Sequence, residues 1–144
     1  MIARSSILKT GIDLKISLPD LELKLWCRPA QMIQILLNLL ANSTAAISSL
    51  SEKWIRIDIK VVSQSDGEYA LISVTDSGPG LRKDIAARVF EPYFSTKNQG
   101  SNLGLGLGIS RLIVHDHGGE IWLDRDQPNT CFRMTLPLGE KEIQ

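Results

Sequence analysis

Residues 31–50 of the chain read QMIQILLNLLANSTAAISSL. This segment contains no glycine or proline and is rich in Leu, Ile and Ala, which favour helices, and Pro29 just before it suits a first helical turn. The sequence therefore predicts a long helix from Pro29 to about Leu50. Its apolar residues are numerous enough to predict burial on two sides.

Three polar residues recur along this helix at a spacing of four. Gln34, Asn38 and Asn42 therefore lie along one stripe. Asparagine has a poor helix propensity, and a partly buried amide needs hydrogen-bond partners. One interpretation is that these side chains are solvated or capping amides. The other is that an amide oxygen is offered to a hard cation such as Mg²⁺, which prefers oxygen ligands.

Alternation of apolar and polar residues on both sides of the helix predicts strands. The clearest case follows Trp54, because Ile55, Ile57 and Ile59 share one face while charged residues share the other. Two strand pairs are joined by short loops, which suits antiparallel pairing. We therefore expect an α+β fold, a two-layer sandwich with helices on one face of a mixed sheet. The predicted strands are Ile12–Leu18, Leu21–Trp26, Trp54–Val62, Tyr69–Thr75, Glu120–Leu123 and Thr130–Leu136, and the further helices are Arg82–Val89 and Ile109–His117.

A run of turn residues, Asp76-Ser77-Gly78-Pro79-Gly80, ends the hydrophobic strand before it. One interpretation is that the run forms a turn and nothing more. The other is that the Asp76 carboxylate accepts a hydrogen bond from a ring that carries an amino group. Gly78 and Gly80 would then let the backbone come close to a flat ligand.

The repeat Leu103-Gly104-Leu105-Gly106-Leu107-Gly108 precedes the last predicted helix. Glycines at such a place can free backbone N–H groups to cradle phosphate at the positive end of a helix. The repeat does not follow a strand within a βαβ unit, and it lacks the Gly-Lys-Ser/Thr ending of a P-loop. Neither the dinucleotide-binding fold nor the P-loop is therefore indicated.

The composition argues against several classes of protein. The 144 residues fit one domain, and 16 Lys and Arg balance 16 Asp and Glu, so there is no basic surplus for nucleic acid or an anionic membrane. No apolar run approaches the roughly 20 residues of a membrane span. Cys27 and Cys131 lack metal-ligand spacing, and we expect reduced thiols rather than a disulfide. These features predict a soluble, cytoplasmic domain.

Four motifs resemble, in their order and spacing, the N, G1, F and G2 boxes of sensor histidine kinases. They are Asn38-x-x-x-Asn42, Asp76-x-Gly78-x-Gly80, Phe90-Glu91-Pro92-Tyr93-Phe94-Ser95-Thr96-Lys97 and the Gly-Leu repeat. The resemblance covers about Ile12 to Pro137, and the F box is most similar to the nitrogen-regulatory and dicarboxylate-sensor branch. It implies the Bergerat ATP-binding fold, which gyrase, heat-shock chaperone and MutL-type ATPases share, and a place in two-component signal transduction.

The resemblance also implies a role for each box. Asn42 would hold Mg²⁺, and Asn38 would lie near the phosphates or the waters of the metal. Asp76 would read the adenine amino group of ATP, and Lys97 would meet phosphate oxygens as a point charge. By this resemblance the catalytic residues are Asn38, Asn42 and Lys97, the metal ligand is Asn42, and the ATP-binding residues are Asn38, Asn42, Asp76, Gly78, Gly80, Lys97, Gly104, Leu105 and Gly106.

The residue at position 38 separates related classes of enzyme. ATPases of the wider superfamily and anti-sigma serine kinases carry Glu where this chain has Asn38. A carboxylate can take the proton of a water or hydroxyl nucleophile, whereas an amide cannot, and a neutral imidazole needs less help. Asn38 therefore favours transfer of the γ-phosphate of ATP to a histidine. The alternatives are a non-catalytic nucleotide-binding regulatory module and an anti-sigma-type serine kinase of the same fold.

A few residues depart from the family pattern. Ser43 stands where alanine is usual, and Asn102 stands at the first glycine position of the G2 box. The resemblance implies a lid over the nucleotide from about Ser95 to Leu103, and we expect Phe90 and Phe94, which fit the pattern, to anchor this lid rather than to contact ligand.

The chain offers no histidine in the context of a phosphoacceptor. His115 and His117 lack the His-Glu/Asp motif, and we expect both to be structural. We therefore expect residues 12–138 to be an excised catalytic domain, with 1–11 as a linker remnant and 139–144 as a tail. Its expected partners are ATP, a phosphoacceptor and dimerisation domain absent from this chain, and a response regulator, with no contact to nucleic acid or membrane.

Overall fold

The structure, a computed structural model, describes residues 11–91 and 106–139 of the chain. Within these ranges helices and strands alternate in the order expected for an α+β fold. The elements are β1 (Asp13–Ser17), α1 (Pro29–Ala46), β2 (Trp54–Gln64), β3 (Gly67–Asp76), α2 (Lys83–Ala86), α3 (Gly106–Asp116), β4 (Glu120–Leu123) and β5 (Cys131–Pro137).

The strands form one sheet in the order β1-β2-β3-β5-β4. β1 runs parallel to β2, and the other neighbouring strands run antiparallel, so the sheet is mixed, as predicted. The register places Val74 of β3 opposite Ile57 of β2 and Phe132 of β5. The apolar residues of these three strands therefore line up on one face, as their period of two requires.

The core lies between that face of the sheet and the two longer helices. Ile35 and Leu39 of α1 and Val114 of α3 are almost fully buried, together with Val74 and Met134 of the sheet. The opposite face carries polar residues such as Arg56, whose guanidinium lies 4.4 Å from the centroid of the Trp54 ring. The two-layer sandwich predicted from the sequence is therefore confirmed.

One predicted strand is wrong. Residues 21–26 alternate apolar and polar side chains, but Leu25 forms only an isolated bridge with Gly139, and the Gly139 N–H donates to the Lys24 carbonyl at 2.8 Å. The alternation reflects partial burial of Leu25 against the core, while Leu21 remains exposed. A period-two pattern records which side chains face the core, and it does not require a neighbouring strand.

The helices differ from prediction at their ends. α1 ends at Ala46 rather than near Leu50, and α2 covers only 83–86 of the predicted 82–89. α3 begins at Gly106 rather than at Ile109, because burial of Leu107 compensates for the poor helix propensity of the glycines beside it. Among the described residues, no helix is both long and apolar enough to cross a bilayer.

A histidine joins the start of α1 to the end of α3. Nδ1 of His117 lies 2.8 Å from the Ile113 carbonyl oxygen, and Nε2 accepts the backbone N–H of Arg28 at 3.2 Å. The Arg28 guanidinium also donates to Asp116 at 2.7 Å. These contacts give His117 the structural role predicted for it, while His115 is exposed. Both cysteines are free thiols, and Cys131 is buried.

A partly buried ion pair stabilises the turn between β4 and β5. Asp124 accepts the Asp126 backbone N–H at 3.0 Å and the Arg133 guanidinium at 2.8 Å, and both contacts hold the pKa of its carboxyl below the usual range. A depressed pKa means that the stabilisation is present above pH 4 and is lost as the pH falls through the lowered value.

We therefore expect Asp124→Asn to lower the free energy of unfolding by up to about 1 kcal/mol at pH 7. The difference from wild type should disappear in acid, because the wild-type carboxyl is then protonated. Urea unfolding between pH 2 and pH 7 measures this, with the exposed Asp126→Asn as the matched control. An equal destabilisation at every pH would contradict the electrostatic account.

Candidate nucleotide-binding site

The most deeply buried carboxylate among the described residues is that of Asp76, at the end of β3. Its side chain is only 1% exposed, and its Oδ1 accepts the Gly78 backbone N–H at 2.8 Å. The side chains of Ser43 and Thr130 lie near this carboxylate and lower its pKa. Asp76 is therefore a solvent-shielded acceptor held in place by the Gly78 N–H.

Two opposing effects act on the pKa of Asp76. Burial removes water from the charged form and raises the pKa above its ordinary value, and this is the larger effect. The hydrogen bonds from Gly78, Ser43 and Thr130 stabilise the charge and lower the pKa. Burial has a second consequence: little water competes with a further N–H donor for the carboxylate, so a hydrogen bond from such a donor is strong.

The loop after Asp76 brings the backbone close to this carboxylate. A Cβ on Gly78 would lie 2.8 Å from Asp76 Oδ1 and 3.1 Å from Thr130 Oγ1. Gly80 has φ = +88°, a left-handed conformation that favours glycine, and its N–H donates to Thr130 Oγ1 at 3.2 Å. Asn129 Nδ2 donates to the Gly78 carbonyl at 3.1 Å. Gly78 thus leaves space for the Asp76 carboxylate and Gly80 adopts a left-handed backbone, while the close approach of a flat ligand to them stays a prediction.

Helix α1 supplies the second side of the site. Ser43, which lies near Asp76, is 2% exposed and directly follows the partly buried Asn42. Asn38 lies one turn earlier and is also partly buried, whereas Gln34, the first residue of the predicted polar stripe, is exposed. The polar stripe is therefore solvated at Gln34 and partly buried at Asn38 and Asn42, where it approaches Ser43 and Asp76.

Asn38 connects α1 to the start of α3. Its Nδ2 donates to the Gly106 carbonyl at 3.3 Å and to Ser110 Oγ at 3.4 Å. A Cβ on Gly106 would lie 3.4 Å from Asn38 Cγ, so the glycine allows the two helices to approach here. The first N–H groups of α3 have no partner within the helix, and they make this end positive. The end of α3 suited to phosphate therefore lies beside Asn38.

Several predicted site residues lie outside the described ranges. These are Lys97, Gly104 and Leu105, together with Phe94 of the F box. Phe90 is described, and its ring meets that of Phe132 edge to face at a centroid distance of 6.1 Å. That contact agrees with an anchoring role for Phe90.

Three described residues of the site were missed by the sequence analysis. Thr130 was interpreted only as the start of a strand, and Asn129 only as part of a loop. Ser43 was noted as a departure from a family pattern, without a role. Their contacts join segments 50 or more residues apart or join α1 to β3, so no local pattern indicates them.

The lack of space for a side chain at Gly78 gives a direct test of the site. We expect Gly78→Ala to weaken ATP binding about tenfold, because the added Cβ must displace the Asp76 carboxylate. Calorimetric titration with ATP measures this effect. Gly67→Ala is the control for an added Cβ without a neighbour, because no atom lies within 4 Å of it; Gly67, unlike Gly78, has a positive φ, so this control also includes backbone strain. Equal losses of affinity in both variants would contradict the assignment.

The comparison with protein families agrees with this geometry. Residues 27–140 match the family described as histidine kinase-, DNA gyrase B- and HSP90-like ATPases. The chain belongs to this family. The matched range contains Asp76, the glycine loop, α1 and α3, so the cluster described above lies within an ATPase domain.

Relatives of this ATPase domain are sensor kinases. It is 32% identical over 132 residues to sporulation kinase E of Bacillus subtilis, a match of 91% of this chain and 17% of the relative. It is 34% identical over 129 residues to the sensor histidine kinase ZraS of Escherichia coli, covering 89% of this chain and 26% of ZraS. The ATPase domain thus spans 17–26% of the length of the first three curated relatives it matches.

Solved structures show the same fold. The catalytic domain of the histidine kinase ThkA, without nucleotide, is 29% identical with a TM-score of 0.80, covering 94% of this chain and 85% of that one. ThkA in complex with the response regulator TrrA is 26% identical with a TM-score of 0.74, covering 96% of this chain and 37% of that one. These findings confirm the predicted family and fold, while the nitrogen-regulatory branch stays a prediction.

Proposed function

We propose that this ATPase domain is the catalytic domain of a sensor histidine kinase. It would bind ATP with Mg²⁺ and transfer the γ-phosphate to a histidine on another domain of a longer protein. The proposal is supported by the family match and by relatives that are sensor histidine kinases. The proposed catalytic unit is the predicted domain, residues 12–138.

The observation that carries the proposal is the amide at position 38. Asn38 Nδ2 donates to the Gly106 carbonyl and to Ser110, which a glutamate at this position could not do. The chain therefore uses this position to hold α3 against α1 rather than to activate water. A nucleophile that needs no base, such as a neutral imidazole, fits such a site better than water or serine.

Asp76 is the proposed reader of adenine. The adenine amino group is a donor, and an ionised carboxylate only accepts. Because Asp76 is buried and accepts the Gly78 N–H, its carboxylate keeps a free acceptor position for an N–H donor of the base. Gly78 and Gly80 are proposed to give the adenine ring access to this edge of the sheet.

Asn42 is the proposed protein ligand of Mg²⁺. An amide oxygen suits this hard cation, which keeps several waters and is commonly held jointly with phosphate oxygens. The described residues contain no cluster of three His, Cys, Asp or Glu that could form an all-protein site, so a site shared with ATP fits the residues present. When bound, the ion would neutralise charge on the phosphates.

Catalysis by this domain would consist of positioning and charge neutralisation. The N–H groups at the start of α3 would donate to phosphate oxygens, and Lys97, Gly104, Leu105 and Gly106 are proposed to complete the phosphate contacts. Asn38 would keep α3 in place through the Gly106 carbonyl. No residue in this account takes a proton from the acceptor, since the histidine is itself the nucleophile.

The proposed partners are the two proteins or domains that would accept the γ-phosphate one after the other. A dimerisation domain of the parent protein would supply the histidine, and a response regulator would receive the phosphate. The solved complex of ThkA with TrrA is a precedent in a related protein. A cytoplasmic location is proposed because ATP is the substrate.

An experiment on Asn42 tests the metal assignment. We expect Asn42→Ala to weaken binding of ATP in the presence of Mg²⁺ about tenfold, since a ligand to the ion is lost, and to leave binding of adenosine unchanged. Calorimetry with both ligands measures the two affinities. The exposed Gln34→Ala on the same helix is the control. Equal loss of both affinities would indicate a general structural defect and would contradict the assignment.

A further inference from the structure

Strand β1 lies at one edge of the sheet and leaves that edge open. Within residues 11–91 and 106–139, no strand other than β2 pairs with it. Edge strands are commonly protected by a proline, a bulge or a covering segment, because an open edge can pair with a strand of another chain. β1 contains no proline, and its register with β2 is unbroken over all five residues. The edge is therefore available for pairing.

The hydrogen bonds to β2 show which residues of β1 serve this edge. The Asp13 N–H donates to the Lys53 carbonyl at 3.0 Å, so the backbone groups of Asp13 point toward β2. Successive residues of a strand direct their N–H and C=O groups to alternate sides. Lys15 therefore also points toward β2, whereas Leu14 and Ile16 direct their backbone groups to the open edge.

The edge also carries apolar side chains that the core does not cover. Ile16 is 45% exposed, and Leu18, directly after β1, is 64% exposed. By the period of two, both lie on the same face of the strand as Ile12, which is only 3% exposed. A further strand along this edge would shield apolar surface as well as satisfy backbone groups.

Charge selects one register in which a second copy of the chain can pair antiparallel with β1. With Leu14 facing Leu14 of the second copy, Asp13 lies opposite Lys15 once on each side of the two-fold axis, and Ile16 lies opposite Ile12. The Asp13–Lys15 pairs are then the non-hydrogen-bonded pairs, in which side chains approach most closely. The two neighbouring registers place Asp13 opposite Asp13 or Lys15 opposite Lys15, and like charges repel there.

We propose that β1 is a self-association edge, through which two copies of this chain join their sheets antiparallel with Leu14 on the two-fold axis. The interface is isologous, because the same residues of both copies form it. Lysine at an edge ordinarily discourages such pairing, but here Asp13 of the second copy neutralises Lys15. The inference goes beyond the proposed function, since β1 holds none of the residues proposed to bind ATP.

Charge-reversal variants test the register, and they change side chains that are exposed in the single chain. Asp13→Lys makes each facing pair two lysines, and Lys15→Asp makes each pair two aspartates. The double variant Asp13→Lys/Lys15→Asp restores opposite charges and keeps the net charge of wild type. Lys60→Asp is the matched control, because Lys60 is exposed on the same face of the sheet but belongs to β2, away from the edge.

Sedimentation velocity on the full chain, from micromolar to millimolar concentration, measures association, and thermal unfolding verifies that each variant folds. We expect wild type and Lys60→Asp to form dimers with the same dissociation constant. Each single variant at the edge should dimerise about tenfold more weakly, because two symmetry-related pairs change from attraction to repulsion. The double variant should return to the wild-type constant.

Three results would overturn the inference. The first is a wild-type chain that remains monomeric at every concentration. The second is a dimer whose dissociation constant is unaffected by Asp13→Lys and by Lys15→Asp, since the contact would then lie elsewhere. The third is a double variant that dimerises as weakly as the single variants, because Asp13 would then not face Lys15 of the second copy.

Discussion

Asp76→Asn is expected to bind ATP about ten- to hundredfold more weakly than wild type, because a hydrogen bond to a charged group contributes about 1.5–3 kcal/mol. The asparagine has nearly the same shape, but it can turn an NH₂ group toward the adenine amino group. Two donors then face each other in a site that excludes water. The loss should appear with ATP and with adenosine alike, since the changed contact is to the base.

The same substitution should leave stability unchanged or increase it. Burial raises the pKa of Asp76, so the folded state holds the proton more tightly than the unfolded state does. The contribution of this group to stability is then present below its ordinary pKa and is lost as the pH rises through the raised value. A neutral amide avoids that loss. ATP affinity in wild type should fall as Asp76 becomes protonated in acid, and this limb should be absent in the variant.

Calorimetry and thermal unfolding measure the two expectations independently. The exposed Asp84→Asn is the matched control and should change neither quantity. Unchanged ATP affinity in Asp76→Asn would refute the adenine assignment. A large loss of stability would show that the Asp76 carboxylate is needed for folding, and it would contradict the expectation of unchanged or increased stability.

Gly119→Ala is expected to destabilise the domain by about 3 kcal/mol or more. A Cβ at this position would lie 1.7 Å from the Thr135 carbonyl oxygen and 2.9 Å from its carbon, and neither backbone atom can move without disturbing β5. The Gly119 N–H also donates to the Val114 carbonyl and the Gly118 N–H to that of His115, a pattern that closes α3 with a Schellman motif. The expected fall in melting temperature is roughly 10 °C.

The neighbouring Gly118→Ala separates collision from backbone strain. Gly118 has φ = +81°, and its added Cβ would lie 3.3 Å from Pro137 Cγ, a side-chain atom. The cost of a left-handed alanine is about 1–2 kcal/mol. Gly118→Ala should therefore unfold at a temperature between those of Gly119→Ala and wild type. Equal or greater damage from Gly118→Ala would contradict the predicted close approach of Gly119 to β5.

The local parts of the fold and site were predictable from the sequence. α1, β2 and β4 follow from their hydrophobic patterns, and Asp76 is recognised from the turn chemistry that follows a buried strand. The false strand at 21–26 arose because alternation reports burial and not pairing. The glycines at the start of α3 suggested a loop, but burial of Leu107 and the contact with Asn38 keep them helical.

The remaining features depend on contacts between distant segments. Thr130 reaches the glycine loop across 50 residues, and Ser43 reaches Asp76 from α1. His117 meets Arg28 across 89 residues. Such pairs form only after the sheet and the helices have packed, and a periodic pattern carries no information about them. At Ser43 the family pattern marked a departure from alanine but indicated no role for the serine.

Transfer of phosphate to histidine tests the account most directly. The domain is mixed with the phosphoacceptor domain of its parent protein and ATP labelled at the γ-phosphate, and the chemical stability of the label on the acceptor is then measured. The account predicts a label that is lost in acid and kept in base, as expected for phosphohistidine. An acid-stable label would indicate a serine kinase, and the absence of any label while ATP binds would indicate a regulatory nucleotide-binding module; either would contradict it.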